Sequence, residues 1–213
     1  MKFTNSSAFI LAGGKSSRMG TEKSLMKIGD KTVIEIIISR LQPLFESISV
    51  ISNNPEEYTF LDLPVYEDIF KGQGPISGIH SALTHSRTDS ALIISCDIPM
   101  ISSDAISYII SNRNDKPVTV AFAENYVQEL CGVYDKSILL IVENLIKSNP
   151  DPETRHHEQG KRGCSVHKLL DTVSANILDF PKMYPAYSED LFFNMNTPED
   201  YEIIRKKLFQ NNF

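Results

Sequence analysis

Cysteine is scarce in this chain: three among 213 residues, Cys96, Cys131 and Cys164, with no C-x-x-C pair. An odd count at such wide separations excludes a disulfide framework and a zinc-binding pattern, and the thiols are expected to be reduced. Long apolar runs are missing too. The longest, Val33 to Ile38, is broken by Glu35 and falls far short of the ~20 residues that cross a bilayer. Met1 to Ser7 carries one lysine and then polar residues ahead of a short apolar stretch. No signal-peptide core can be drawn there, so a cytoplasmic protein without a membrane partner is expected. A cationic surplus is also absent, since 21 Lys and Arg against 27 Asp and Glu leave a net charge of −6. That balance excludes a broad nucleic-acid platform, which needs many Lys and Arg to neutralise phosphates.

What remains is ordinary in composition, with 41% apolar and 23% charged residues, the balance of a globular domain. A chain of this length withdraws roughly 70% of its unfolded surface from water in a single core. No internal repeat or linker divides it, and residues 1–213 are read as one domain. Apolar runs bounded by turn residues alternate with segments of helical period, the pattern of repeated βα units and a mainly parallel open sheet, an α/β fold. Strands are predicted at Ala8 to Leu11, Ile48 to Ser52, Pro64 to Tyr66, Ala91 to Cys96, Val118 to Ala123, Leu130 to Tyr134 and Val173 to Leu178. Helices are predicted from about Lys31 through Leu44, over Ile76 to Leu83, around Ile106 to Ile110 and over Ile138 to Ile146. A last helix should open at Thr197, with Pro198 in the first turn and Asp200 at the third position completing a cap. Asn149 to Gly163, polar and rich in proline and glycine, reads as a loop of about 15 residues.

The segment Leu11-Ala-Gly-Gly-Lys-Ser-Ser-Arg-Met-Gly-Thr-Glu-Lys23 leaves the first strand with three glycines, two serines and three cations before the next helix. Such a stretch suits an anion. Gly13 and Gly14 let backbone N–H groups approach phosphate oxygens, Gly20 allows a second bend, and Lys15, Arg18 and Lys23 bring positive charge against the single Glu22. The spacing is neither that of a P-loop nor G-x-G-x-x-G. It resembles the nucleotidyltransferase signature L-A-G-G-x-S-x-R-M-G-x-x-K at every position.

Four more segments extend the likeness: Gly74-Pro-Ile-Ser-Gly78, Cys96-Asp-Ile-Pro99, Cys131-Gly-Val-Tyr134 and Asn194-Met-Asn-Thr-Pro-Glu-Asp200. Together, in order from residue 8 to about 200, they resemble the molybdenum cofactor guanylyltransferases. The resemblance implies a three-layer, Rossmann-like open sheet of the nucleotide-diphospho-sugar transferase type. The implied reaction joins the GMP part of Mg-GTP to the phosphate of molybdopterin and releases pyrophosphate. The implied site places Leu11, Ala12, Gly13, Gly14, Lys23, Asn53, Asp68, Gly78 and Asp97 around the nucleotide. Arg18, Lys23 and Asp97 carry the catalysis, Asp97 holds Mg²⁺, and Asn194 and Asn196 face the pterin. Transient contact with other cofactor-biosynthesis proteins or apo-molybdoenzymes is implied as well.

Elementary chemistry agrees at several of these positions and leaves others open. Asp97 follows the most apolar strand, so its carboxylate falls at the carboxyl end, where open α/β sheets bind ligands. Magnesium takes one or two carboxylates beside phosphate oxygens and water, so one aspartate suffices; an aspartate before Ile-Pro could also simply close a turn. Asn53 precedes Asn54-Pro55 and could be a turn residue, and Asp68 beside Glu67 could be a solvated acid. An acidic side chain accepting from guanine N1–H and the exocyclic amine would favour GTP. Thr197 fills the helix cap, which frees Asn196 for contact with pterin or metal. Arg155, His156, His157, Lys161, Arg162 and His167 could grip the pterin phosphate or be solvated, and the histidines lack partners at metal-ligand spacing. Alternatives of the same fold are a molybdopterin cytidylyltransferase or a sugar-phosphate nucleotidylyltransferase. A non-catalytic nucleotide-binding module is the alternative of another class.

Overall fold

The computed structural model describes residues 2–13, 22–148 and 166–210. Gly14, Arg18, the polar segment 149–163 with Arg155, His156, His157, Lys161 and Arg162, and Cys164 lie outside the described residues. The strands are β1 (Ser6–Leu11), β2 (Lys27–Ile28), β3 (Lys31–Thr32), β4 (Ile48–Ile51), β5 (Val65–Tyr66), β6 (Ser90–Ser95), β7 (Val118–Ala123), β8 (Tyr126–Asp135) and β9 (Asn176–Asp179). The α-helices are α1 (Val33–Leu41), α2 (Pro75–His85), α3 (Ser103–Ser111), α4 (Leu139–Lys147), α5 (Val166–Thr172), α6 (Phe180–Met183) and α7 (Pro198–Gln210).

Seven strands form one sheet in the order β5-β4-β1-β6-β8-β7-β9, and β2 and β3 form a separate small hairpin. Pairings β1–β4, β1–β6, β4–β5 and β7–β9 are parallel, whereas β8 runs against both its neighbours, β6 and β7. Alternation along the central strands builds two cores. Ala8 and Ile10 of β1 and Leu92 and Ile94 of β6 face one side, with α1, α3, α6 and α7. Phe9 and Leu11, with Ala91 and Ile93, face the other, with α2, α4 and α5. Both faces are covered, as a largely parallel sheet requires, and the result is the three-layer α/β architecture expected from the sequence.

Caps set the helix starts. The Thr32 hydroxyl accepts from Glu35 N–H while a Glu35 carboxylate oxygen accepts from Thr32 N–H at 2.7 Å, a reciprocal capping box that begins α1 at Val33. At α7 the expected cap is present: Asp200 Oδ2 accepts from Asn196 N–H (2.9 Å) and Thr197 N–H (2.8 Å), and Asp200 N–H donates to the Thr197 hydroxyl (3.2 Å).

Three expectations need correction. The strand expected over Val173 to Leu178 is only Asn176–Asp179, because α5 ends at Thr172 and Ser174 takes a left-handed φ of 52° in the turn between. The strand expected at Leu130 to Tyr134 runs the full length Tyr126–Asp135 and forms a hairpin with β7 through Glu124 and Asn125, both at positive φ. In the middle of that hairpin the register slips: Gly132 lies opposite Val120, but Gln128 opposite Ala121. A Cβ on Gly132 would lie 2.5 Å from Thr119 O, so glycine is required there. The helix expected over Ile138 to Ile146 begins instead with a 3-10 turn, and Leu140 on α4 is exposed.

Candidate functional site

From β1 the chain proceeds to β4 and β5 on one side and then returns to β6 on the other, so the topological switch lies between β1 and β6. Crevices beyond the carboxyl ends of strands at such a switch are where open α/β sheets take ligands. Leu11 and Ser95 are register partners at the ends of these two strands, and Cys96 N–H still donates to Leu11 O at 3.2 Å. Gly13 and Asp97 therefore leave the sheet side by side. Gly13 has φ +150°, in the range that favours glycine, and a Cβ there would meet nothing closer than Ser52 Oγ at 4.0 Å. The requirement at Gly13 is one of backbone angle rather than room. Leu11 and Ala12 are buried, with Ala12 N–H donated to Ile51 O at 2.9 Å, so they form the floor of the turn.

Lys23 begins a short 3-10 helix on the far side of the loop, and its Nζ donates to Asn196 Oδ1 at 3.0 Å. Met195 N–H donates to the Asp97 carbonyl at 2.7 Å, which fastens the segment before α7 to the end of β6. Burial pushes the Asp97 carboxyl above the usual aspartate range, and the Ser95 side chain and the Lys23 charge pull against that rise. Lys23, Asp97 and Asn196 thus meet at one rim although they are far apart in sequence. Gly13 stands beside them.

Asn53 and Asp68 face one another at the ends of β4 and β5. Asn53 Nδ2 donates to Asp68 Oδ2 (2.8 Å), and Asp68 N–H donates to Asn53 Oδ1 (3.2 Å). The other carboxylate oxygen, Asp68 Oδ1, is buried with no hydrogen-bond partner among the described residues. The Ser77 hydroxyl lies close enough to the Asp68 carboxylate to favour its charged form, but its hydrogen is directed to Phe70 O, at 2.6 Å. Burial raises the Asp68 pKa against the opposing hydrogen bonds. An unpaired buried acceptor of this kind is costly unless something else donates to it. Gly78 has a packing reason to be glycine: a Cβ there would lie 3.0 Å from Leu11 Cδ1, so α2 sits directly on the end of β1.

A cavity of about 560 Å³ opens on the β8 side of Asp97, lined among others by Ser95, Phe122, Tyr126, Leu130, His167 and Asn194. Asn194 Nδ2 donates to the Tyr126 hydroxyl at 2.6 Å. His167 Nδ1 lies 3.4 Å from Glu129 Oε1 with its side chain largely in solvent. Sequence reasoning missed Phe122, Tyr126 and Leu130, because they reach the cavity only through a hairpin and register slip that carry no glycine-rich turn signal. Cys96 and Cys131 are free and buried, and burial pushes each thiol up to about 12.

Among the described residues no three His, Cys, Asp or Glu side chains are grouped as a metal cage. A magnesium site completed by substrate phosphates does not need one. Asp97 suits that role: it is a hard oxygen donor whose charged form burial disfavours and a nearby cation would favour. Among the described residues no helix is long and apolar enough to cross a membrane.

The architecture is that of nucleotidyltransferases of the nucleotide-diphospho-sugar transferase fold. The chain belongs to the MobA-like NTP transferase family, whose domain model matches residues 8–160. It is 36% identical over 208 residues to a probable molybdenum cofactor guanylyltransferase of Clostridium perfringens, covering 94% of this chain and 96% of the other. A protein of the same description from Carboxydothermus hydrogenoformans is 34% identical, with 95% and 96% covered. Among solved structures, molybdopterin-guanine dinucleotide biosynthesis protein A from Archaeoglobus fulgidus superposes with a TM-score of 0.78 at 20% identity, covering 96% of this chain and 99% of that one.

Proposed function

We propose that this nucleotidyltransferase moves GMP from Mg-GTP to the phosphate of molybdopterin and releases pyrophosphate, forming the guanine dinucleotide of the cofactor. The observation that carries the reading is the meeting of Lys23, Asp97 and Asn196 beside Gly13 at the switch between β1 and β6. The likeness to relatives named as guanylyltransferases over almost the whole chain supports the choice of acceptor and base.

In the reaction a pterin phosphate oxygen forms a bond to the α-phosphorus of GTP while the bond from that phosphorus to the α,β-bridging oxygen breaks. The electron pair departs with pyrophosphate. A phosphate monoester is largely ionised at neutral pH, its second pKa being ~6, so no side chain has to remove a proton. The protein's task is to bring two anions together and hold them in line. Lys23 neutralises phosphate charge, and Asn196, hydrogen-bonded to its ammonium, fixes where that charge sits. Gly13 lets the backbone come close to the phosphates, with Gly14 assigned the same work by the motif, and Arg18 assigned, like Lys23, to hold phosphate charge. Asp97 would hold Mg²⁺, which neutralises charge on the phosphates. Asp68 Oδ1, unpaired and buried, is an acceptor waiting for a donor, and guanine N1–H or its exocyclic amine supplies one. Asn53 keeps that carboxylate turned. The cavity with Tyr126 and Asn194 lies on the other side of Asp97 and has room for the pterin.

Replacing Asp97 by Ala tests the centre of this reading. Pyrophosphate release from Mg-GTP and molybdopterin is expected to fall at least about a hundredfold, the scale of losing one charge-stabilising group. Turnover within tenfold of the parent would remove Asp97 from the metal role.

A further inference from the structure

The loop that carries Lys23 and the strand end that carries Asn53 approach the site from different parts of the chain, and a line of buried hydroxyls lies between them. Ser24, directly after Lys23, is 0% exposed, and its hydroxyl is hydrogen-bonded to the Tyr58 hydroxyl at 2.8 Å. Tyr58 is 1% exposed and belongs to the 3-10 helix Pro55–Leu61, which sequence reasoning did not foresee. Its hydroxyl also reaches the Ser52 side chain. Ser52 Oγ in turn accepts from Asn54 N–H at 3.2 Å, so Asn53 is bracketed by the residues it joins. On the loop side, the half-buried Glu22 side chain lies beside Ser24.

The ring of Tyr58 packs in the core that contains α1 and α3, where a phenylalanine would serve as well for burial alone. A buried hydroxyl costs free energy unless it is hydrogen-bonded. The pairing with Ser24 satisfies both buried hydroxyls, and either can be the donor. Burial pushes the phenol up to about 12, so the proton stays in place at any working pH.

We infer that Tyr58 is a positioning residue: through Ser24 on one side and Ser52 on the other, its hydroxyl holds the phosphate-binding end of the loop at a fixed distance from the base-binding end of β4. This rests on the reading of Lys23 and Asn53 under Proposed function. One nucleotide spans the two ends, so the spacing between them decides whether a base held at Asn53 places its α-phosphorus in line at Lys23. A small misplacement of reacting groups can cost about a hundredfold in rate.

The test is Tyr58→Phe in the full chain, measured with GTP and molybdopterin. The expected result is a fall in kcat of about tenfold or more, with KM for GTP within about threefold and the melting temperature nearly unchanged. Ser24→Ala removes the same hydrogen bond from the other side, so the double variant should lose no more than the worse single variant. In a second cycle, Asn53→Ala should cost much less in the Tyr58→Phe background than in the parent. Parental kcat in Tyr58→Phe, or multiplicative losses in the Ser24 cycle, would overturn the inference. If Asn53→Ala alone leaves kcat and KM at parental values, the base-site reading fails and the inference falls with it. If Asn53→Ala is impaired while Tyr58→Phe is not, the inference alone fails.

Discussion

Among the described residues burial makes three aspartates harder to ionise, Asp135 beside Arg113 and, at the rim of the sheet, Asp68 and Asp97. For Asp68 the consequence can be read as stability. Its folded pKa lies above the unfolded value of 3.8, so the folded state binds the proton more tightly, and folding is penalised as pH rises through the folded pKa. Asp68→Asn should therefore raise the melting temperature at pH 7, and the gain should vanish at pH values well below 3.8, where both side chains are neutral. Thermal scans of the two proteins across pH 3 to 7 check the sign. The same change presents an amide where the proposal needs an acceptor, and the preference for GTP over CTP should drop by about tenfold or more, the scale of one buried charged hydrogen bond. A side chain that weakens the fold while sharpening recognition is the pattern expected of a functional position.

At the scale of elements, helix ends and one glycine do the placing. Removing the reciprocal cap with Thr32→Ala should cost about 1 kcal/mol, or roughly 2–4 °C in melting temperature for a chain of this size. Circular dichroism melts would show it, with turnover at low temperature little changed. Gly132→Ala is more severe, since its methyl meets the Thr119 carbonyl. Overpacking against backbone costs roughly 1–3 kcal/mol. It should also weaken molybdopterin binding, because the register slip in β8 shapes the cavity wall, whereas KM for GTP should stay near the parental value.

The elements that could be read from sequence are those whose boundaries are local. β1, β6 and β7 are apolar runs between polar turns, and α7 spells out its cap in Thr197, Pro198 and Asp200. Gly13 and Asp97 could be placed at neighbouring strand ends because each follows an apolar run, which is a sequence property. Other features depend on distant partners. The full length of β8 is set by pairing with β6 and β7 across a turn of Glu124 and Asn125, where no glycine announces positive φ. α5 follows a polar stretch and is short, with Ser165 just before Val166 as its one local start signal. Tyr58 looks like any aromatic until Ser24 and Ser52 are seen on either side of it. Pairings such as Asn53 with Asp68 and Lys23 with Asn196 arise only once the sheet order is fixed.

For the whole molecule, a net charge of −6 is set against the two anionic substrates proposed for it. Under that reading attraction comes from local charge such as Lys23 at the switch point, not from the general field. With both substrates and Mg²⁺ present, one pyrophosphate should appear for each dinucleotide formed, and leaving out molybdopterin should stop its release. GTP binding without any release in the complete mixture would make the protein a binding module rather than an enzyme.

Residues near opposite ends of the chain are joined at the rim, Lys23 to Asn196 and, 2.5 Å apart, the Tyr201 hydroxyl to Lys27 O. A nascent polypeptide that has already paired β1 with β6 still lacks the partner of its key ammonium until residue 196 clears the ribosome. Under the proposed function, a chain cut just before residue 196 would keep the β1–β6 pairing yet leave the Lys23 ammonium without its amide partner, so it should bind nucleotide poorly and turn over slowly.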